Sequence, residues 1–295
     1  MYLSILIPTY NYKCYTLVYD LRQQLEASGV EYEIIVLDDG GKDQVVAIAN
    51  HLINDLTNCR FIRSMENVGR ANNCNKLIAL AKGEWCIIMD SDAKVVKYDY
   101  IATYLNAIKE NPDVDIIDGD LVNPETLPSP VVTLRYFYEK QAEPMRKASV
   151  RQEHAFERFS TFNVLIRKSA LEEVPFCADC KEYGYEDTLM GVEMGKHGKK
   201  ILRVDNPLMH LGFEKNEVYL KKVETSLRTL KRLGDMLLPH TTIGQYVETL
   251  RKRHLILPVK IAYTISRPLL RKNLLGNKPN LKVFAFYKLG YLLNL

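Results

Sequence analysis

Short apolar runs alternate with amphipathic stretches along the N-terminal part of the chain. Residues 3–8 (LSILIP) and 33–37 (EIIVL) are short apolar runs, closed by Pro8 and by Asp38-Asp39-Gly40-Gly41, as expected of strands buried on both faces. Between them Leu17, Val18, Leu21 and Leu25 recur at helical spacing and Gly29 ends the stretch, which predicts a helix over 16–28. The alternation continues with a helix over 45–56, a strand over 60–63, a helix over 71–81 stopped by Gly83, and a strand over 84–89 running into Asp90-Ser91-Asp92. A helix over 98–110 and a strand over 114–119 follow. Apolar strands alternating with helices predict an α/β fold, a mostly parallel sheet flanked by helices on both faces. Residues 120–160 lose periodicity and carry Pro124, Pro128, Pro130 and Pro144, an irregular segment of the kind that forms lids. A strand over 162–166, a helix over 187–197 and a strand over 200–204 complete the body. From about residue 216 the pattern turns to amphipathic, basic helices, the second of them expected to break at Pro258 and Pro268.

Composition adds little, but charge divides the chain. With 295 residues, 47% hydrophobic and 26% charged, collagen-like, disordered and disulfide-scaffold classes are excluded. The net charge of +4 conceals an asymmetry. Residues 215–295 hold 16 Lys and Arg against 4 Asp and Glu, and residues 1–214 hold 24 against 32. An acidic body with a basic tail points to a polyanionic partner, either a membrane surface or a nucleic acid. Six cysteines without a basic, apolar leader suggest reduced thiols in a cytoplasmic protein. No run of about 18 apolar residues occurs, so no transmembrane helix is expected.

Ligands of open parallel sheets sit beyond the carboxyl ends of the strands. Pro8-Thr9-Tyr10-Asn11, Asp38-Asp39-Gly40 and Asp90-Ser91-Asp92 all fall there and should converge. Each cluster alone also suits a helix cap or a turn; three strand ends together favour a site. Asp90 and Asp92, two apart in an extended segment, point the same way and can share a hard divalent cation, Mn2+ or Mg2+. Neither a Walker-type loop nor a GxGxxG motif follows a strand. Glu186-Asp187 opens a predicted helix, where the dipole favours carboxylates, with simple capping the plainer reading. Cys177 and Cys180 have zinc-like spacing but lack a second pair.

The segments SILIPTYN, VLDDGG, ENVGRANNCNKLIALAKGEWCIIMDSD and YGYEDTLMGVEM stand in the order and spacing of family 2 glycosyltransferases, which the chain resembles over roughly residues 1–215. NVLIRKSAL, YGYED and DNPLMHLG narrow the likeness to a bacterial, polysaccharide-type subgroup. The resemblance implies a Rossmann-like GT-A catalytic domain over 1–215, with a nucleotide-binding half (1–92) and an acceptor half (93–215), followed by a helical extension over 216–295. It implies that Pro8, Thr9 and Tyr10 wall the nucleotide pocket and that Asp39 accepts from a uridine-type base. Asn67, Gly69 and Arg70 would lie along the nucleotide and its diphosphate. Asp90, nearer the ribose, and Asp92, the more direct ligand, would hold the metal, with Ser91 counted among the donor-binding residues and His210 as third ligand. Asp187 would be the general base, Glu186 would bind the acceptor, and Gly184 would let the backbone approach the sugar. Where the family shows Ala-Arg-Asn, this chain has Asn73-Cys74-Asn75, which leaves Arg70 to offset the diphosphate charge. In the irregular segment Tyr136 and Tyr138 are candidates for stacking on a sugar ring, and His154 for contact with the acceptor. The implied reaction is a single in-line displacement with inversion, from a nucleotide-diphosphate sugar, a UDP-sugar, to a hydroxyl of a glycan or lipid-linked acceptor in cell-surface polysaccharide synthesis.

In the tail, residues 249–275 interleave Arg251, Lys252, Arg253, Lys260, Arg267, Arg271 and Lys272 with aliphatic residues, a pattern suited to helices lying in an anionic membrane interface. Residues 281–295 add an apolar, aromatic patch. The enzyme is thus expected to be cytoplasmic and peripheral on the inner face of the membrane, with packing on the body or a homodimer as the alternatives for the tail. A nucleic-acid-binding protein would explain the tail but leaves the acidic motifs idle, and no reading motif is present, so no nucleic acid partner is expected. A sugar-phosphate nucleotidyltransferase would open with a glycine-rich loop, and residues 8–16 contain no glycine.

Overall fold

A computed structural model describes every residue except 1, 147–149, 151, 153–155, 157 and 158; His154 therefore lies outside the described residues. The chain divides into two compact units. The first comprises Met1–Val122, Met145–Lys181 and Glu186–Gly212, the second Asn123–Pro144, Glu182–Tyr185 and Phe213–Leu295.

In the first unit β1 (Tyr2–Thr9), α1 (Tyr15–Ser28), β2 (Glu31–Asp38), α2 (Gln44–His51), β3 (Cys59–Arg63), α3 (Arg70–Leu80) and β4 (Trp85–Met89) follow the predicted alternation. Next come β5 (Ala93–Val95), α4 (Tyr100–Glu110), β6 (Ile116–Asp118) and β7 (Leu121–Val122). After α5 (Thr133–Ala142), which belongs to the second unit, β8 (Asn163–Arg167), α6 (Lys168–Glu173), α7 (Glu186–Lys196), β9 (Ile201–Arg203) and β10 (Leu208–His210) complete the first. The main sheet has the order β3-β2-β1-β4-β8-β6-β9. All its pairings are parallel except those of β8, which runs antiparallel to β4 and β6. The sheet is buried as its apolar runs require: Leu3, Ile5, Leu6 and Ile7 of β1 and Ile34, Ile35 and Val36 of β2 are essentially inaccessible.

Register places the polar strand ends. β1 pairs with β2 through Thr9↔Asp38, whereas its pairing with β4 stops at Leu6↔Ile88. Pro8 therefore sits where no ladder N–H is needed from it on the β4 side. A second, three-stranded sheet, β5-β10-β7, sets His210 opposite Ala93, the residue after Asp92. At the start of β8 the buried Asn163 accepts from the hydroxyls of Tyr100 and Tyr104 at 2.7 and 2.8 Å and donates to the carbonyls of Asp120 and Asn206. This network fastens the strand two residues beyond Thr161.

The second unit holds α5, α8 (Asn216–Leu233), α9 (Thr242–Lys252), α10 (Ile256–Leu274) and α11 (Leu281–Asn294). α5 forms inside the stretch whose sequence reads as irregular. Its N-terminal flank offers Val132 rather than a capping side chain, and burial of Leu134 and Tyr136 stabilises it instead. Tyr136 is thus core: its ring packs edge-on to Phe137 and Phe213 and its hydroxyl meets the carbonyls of Pro124 and Glu125, so it does not stack on a sugar. Tyr138 packs against Phe284 under Lys288. Asn216 ties α8 to Leu134 N (2.8 Å), Thr133 Oγ1 (2.9 Å) and Gly276 O (3.0 Å). α10 is continuous, contrary to the expected breaks. Pro258 falls in its first turn, where the N–H is not needed, and Pro268 lies inside the helix. Packing holds it: Tyr263 lies against Gly290 of α11, and Arg271 reaches Glu224 of α8 at 2.8 Å. The apolar face of α11, with Phe284, Tyr287 and Leu292 buried, belongs to the interior. Among the described residues no helix is long and apolar enough to cross a membrane.

Candidate active site

The first cluster forms at the ends of β1 and β2. Thr9 O accepts from Asp39 N at 2.9 Å, and Asp39 is buried. Its two carboxylate oxygens accept from the backbone N–H groups of Val68 and Gly69, both at 2.9 Å. Asn67 Oδ1 also accepts from Gly69 N, at 3.2 Å. Asp39 thus organises the loop that carries Asn67 and Gly69, and with about four lone-pair sites it keeps capacity for a further donor. Gly40 is required here: its φ is 69° and a Cβ would fall 2.8 Å from Asn67 N. Asp38 has a different task, accepting from Gly41 N (3.1 Å) and Arg63 Nε (3.2 Å). Pro8 and Thr9 are buried and Tyr10 is exposed.

α3 is fastened by its asparagines. Asn73 Nδ2 donates to Leu37 O at 2.9 Å, Asn72 Nδ2 to Ala178 O at 3.0 Å, and Asn75 exchanges two hydrogen bonds with the backbone of Phe176. Cys74 between them is buried, which pushes its thiol up to about 12; it is an apolar filler. A pocket of about 630 Å³ beside this helix is lined by Asn67, Gly69, Asn72, Lys76 and Lys181, of which Asn67 and Gly69 are among the residues expected along the nucleotide.

Arg70, the first residue of α3, gathers the acidic motifs. Its Nη2 lies 2.6 Å and its Nε 3.1 Å from Asp90 Oδ1, Nη1 lies 2.9 Å from Asp187 Oδ1, and Nη2 also donates to Thr161 Oγ1 at 2.9 Å. Glu186 Oε1 stands 3.9 Å from Nη1. Burial disfavours the Arg70 charge, and the carboxylates, Asp187 and Asp90 foremost, override it and hold its pKa well above the usual value. Asp90 is raised, first by burial and then by Asp92 and Asp187, with Arg70 opposing. Asp187 is held at three points: Thr161 Oγ1 donates at 2.7 Å, Thr161 N at 3.0 Å, and Arg70 supplies the third. Thr161 is fully buried. Sequence reasoning missed it because a lone threonine beside an aperiodic segment carries no pattern.

Asp92 meets His210. The β5–β10 pairing brings His210 Nε2 to 3.3 Å from Asp92 Oδ2, and the ring is buried edge-on to Phe162. Gly212 makes room: a Cβ there would lie 1.7 Å from Asp92 Oδ2. Asp90 is instead drawn to Arg70, whose guanidinium faces it directly, and among the described residues no three His, Cys, Asp or Glu side chains gather as a metal cluster. Ser91 between the two aspartates is buried. The donor set of one carboxylate and one imidazole fits a divalent ion of the Mn2+ type that draws its other ligands from phosphate and water.

Comparison with known proteins bears on this geometry. The profile described as Glycosyl transferase family 2 matches residues 4–174. The chain belongs to glycosyl transferase family 2. The family match takes in every strand-end cluster, Arg70 and Thr161, and stops before Glu186, Asp187 and His210. Among curated family relatives, glycosyltransferase GlyG of Streptococcus pneumoniae is 31% identical over 121 residues, 41% of this chain and 39% of that protein. The chain spans about two-fifths of the length of the curated relatives it matches first. Among solved structures, the mannosyltransferase PcManGT from Pyrobaculum calidifontis, in complex with GDP-Man and Mn2+, superposes with a TM-score of 0.56 at 15% identity, over 99% of this chain and 84% of that one. S. aureus TarS 1-349 in complex with UDP-GlcNAc gives 0.50 at 18% identity, over 79% and 67%. This family 2 chain therefore has the GT-A fold.

Proposed function

We propose that the protein is an inverting glycosyltransferase that moves a sugar from a nucleoside-diphosphate sugar, a UDP-sugar, to a hydroxyl of a glycan or lipid-linked acceptor. The observation that carries this reading is the corner in which Arg70 and Thr161 immobilise Asp187, within the same unit as the Asp92–His210 pair. Membership of the family and the nucleotide-sugars named in the complexes of its fold neighbours support it.

Pro8, Thr9, Tyr10, Asp39, Asn67 and Gly69 form the nucleotide side, with Asp39 positioning the loop and accepting from the base. Asp90 and Ser91 follow along the donor. Asp92 and His210 would hold Mn2+ or Mg2+, whose chemistry is to offset charge on a departing diphosphate. Asp187 takes the proton of the acceptor hydroxyl as its oxygen attacks the anomeric carbon. Asp187 Oδ1 takes both Thr161 Oγ1 and Arg70, and Oδ2 takes Thr161 N, so the carboxylate is aimed while Oδ2 keeps a lone pair for the acceptor proton. Glu186 beside it serves the acceptor. A single displacement inverts the anomeric centre. A lipid-linked acceptor places the reaction at the cytoplasmic face of a membrane, in the synthesis of cell-surface polysaccharide.

Asp187→Asn removes the base and keeps the shape. Transfer should be abolished while UDP still binds in calorimetry with Mn2+; near-normal transfer by this variant would overturn the assignment.

A further inference from the structure

The outer side of α10 is apolar and uncovered. Leu257, Ile261, Ile265 and Leu269 are 66, 52, 76 and 72% exposed. At about 100° per residue, steps of four drift by only about 40°, so the four form one ribbon along the helix. The inner side is core, where Tyr263 and Leu274 are buried and Tyr263 packs on Gly290. By the same helical geometry Lys272 continues the line of the ribbon at its C-terminal end and Lys260 flanks it beside Leu257, whereas Arg267 lies on the flank toward Tyr263. With Arg253 just before the helix, these four cations form no ion pair among the described residues, unlike Arg251, Lys252 and Arg271. Residues 249–295 contain ten Lys and Arg and no Asp or Glu.

We infer that this ribbon is a docking surface for an anionic phospholipid bilayer, its aliphatic side chains entering the acyl boundary and its bordering cations meeting the headgroups. The inference rests on the tail helices alone and stands apart from the transfer chemistry. Charge decides between the occupants. A symmetric pairing of two α10 ribbons would bring Lys260 and Lys272 of both copies into one interface, with no acidic residue of 249–295 to answer them. A nucleic acid would meet the cations but leave the aliphatic ribbon in water, since such interfaces are made of polar and phosphate contacts. An anionic bilayer satisfies both features at once. The apolar face of α11 takes no part, because it is buried.

The test is co-sedimentation of the full chain with vesicles of phosphatidylcholine alone and of phosphatidylcholine mixed with phosphatidylglycerol. Binding is expected only to the anionic vesicles and should weaken as salt is raised. Lys260→Gln with Lys272→Gln should lower the partition coefficient about 30-fold, from about 5-fold per cation near the surface. Changing Leu257, Ile261, Ile265 and Leu269 together to Ser should abolish binding. Thermal melting and transfer to a soluble acceptor, both expected to be unchanged in the two variants, separate loss of docking from loss of fold or of the catalytic reading. Equal binding to neutral vesicles, or full binding by the four-Ser variant, overturns the inference. So does a lipid-free dimer in sedimentation that the four-Ser variant dissociates, or retention of duplex DNA in preference to vesicles at the same salt.

Discussion

Gly212→Ala tests whether Asp92 and His210 act as a pair. The added Cβ would stand 1.7 Å from Asp92 Oδ2 and 2.6 Å from its Cγ. Ordinary carbon contacts sit near 3.5 Å, so the oxygen has to retreat by roughly 1.8 Å. The obstructed atoms belong to the end of a side chain, and an off-rotamer aspartate costs only about 1 kcal/mol, so the melting temperature should move little. Function should not be spared. Rotation of Asp92 separates Oδ2 from His210 Nε2, now 3.3 Å apart, and misplacement of a site group by about 1 Å can cost about 10²-fold in rate. The assay is calorimetric titration with UDP, with and without Mn2+, alongside transfer rates. We expect the Mn2+-dependent part of binding to disappear and transfer to fall by about two orders of magnitude. In an Asp92→Ala background the same change should add almost nothing, because the displaced carboxylate is gone. Wild-type Mn2+-dependent binding in Gly212→Ala, or an equal cost in both backgrounds, would refute the pairing.

Thr161→Val keeps the volume and removes the hydroxyl that joins Arg70 Nη2 to Asp187 Oδ1. At about 1.5–3 kcal/mol for a hydrogen bond to a charged group, kcat should fall roughly 10- to 100-fold with UDP affinity unchanged, and Thr161→Ser should restore most of it; a change in affinity alone would contradict the assigned role. Glu214 offers a pH test in the second unit: burial would raise its carboxyl, but Arg135 and Lys222 outweigh that and hold it below its ordinary value. A lowered folded pKa contributes stability above the unfolded value and loses it as pH falls through the folded one, so Glu214→Gln should lower the melting temperature near pH 7 and match wild type only once the pH has fallen below the folded pKa; a pH-independent difference would show that packing, not charge, is at stake.

The regular part of the fold was legible because β1 to β4 and α1 to α4 write their periods plainly, and because a parallel sheet covered on both faces needs mostly apolar runs. The reversal of β8 was not legible: Val164, Leu165 and Ile166 are buried whichever way the strand runs. α5 lacked a cap signal, and β5, β7 and β10 are too short to show a period. The strand-end clusters were visible as residue types at strand ends. Their partners were not, because Gly212 acts by lacking a side chain and Asn72, Asn73 and Asn75 act through backbone carbonyls far away in the chain. The ribbon on α10 was read as composition, and only the packing of Tyr263 and of α11 shows which side of the helix is left bare.

Arg70 shows how a correctly chosen residue can be given an incomplete task. The resemblance sends its charge to the diphosphate, yet in the structure Asp90 and Asp187, 20 and 117 residues away in sequence, already hold it. The guanidinium stands between Asp90 and Asp187, with the buried Glu186 3.9 Å away, and fixes where the Asp187 carboxylate points. Arg70 therefore positions the base that the proposed displacement needs, whatever it contributes to the diphosphate. Such a role depends on groups that meet only after folding, so spacing along the chain could not reveal it.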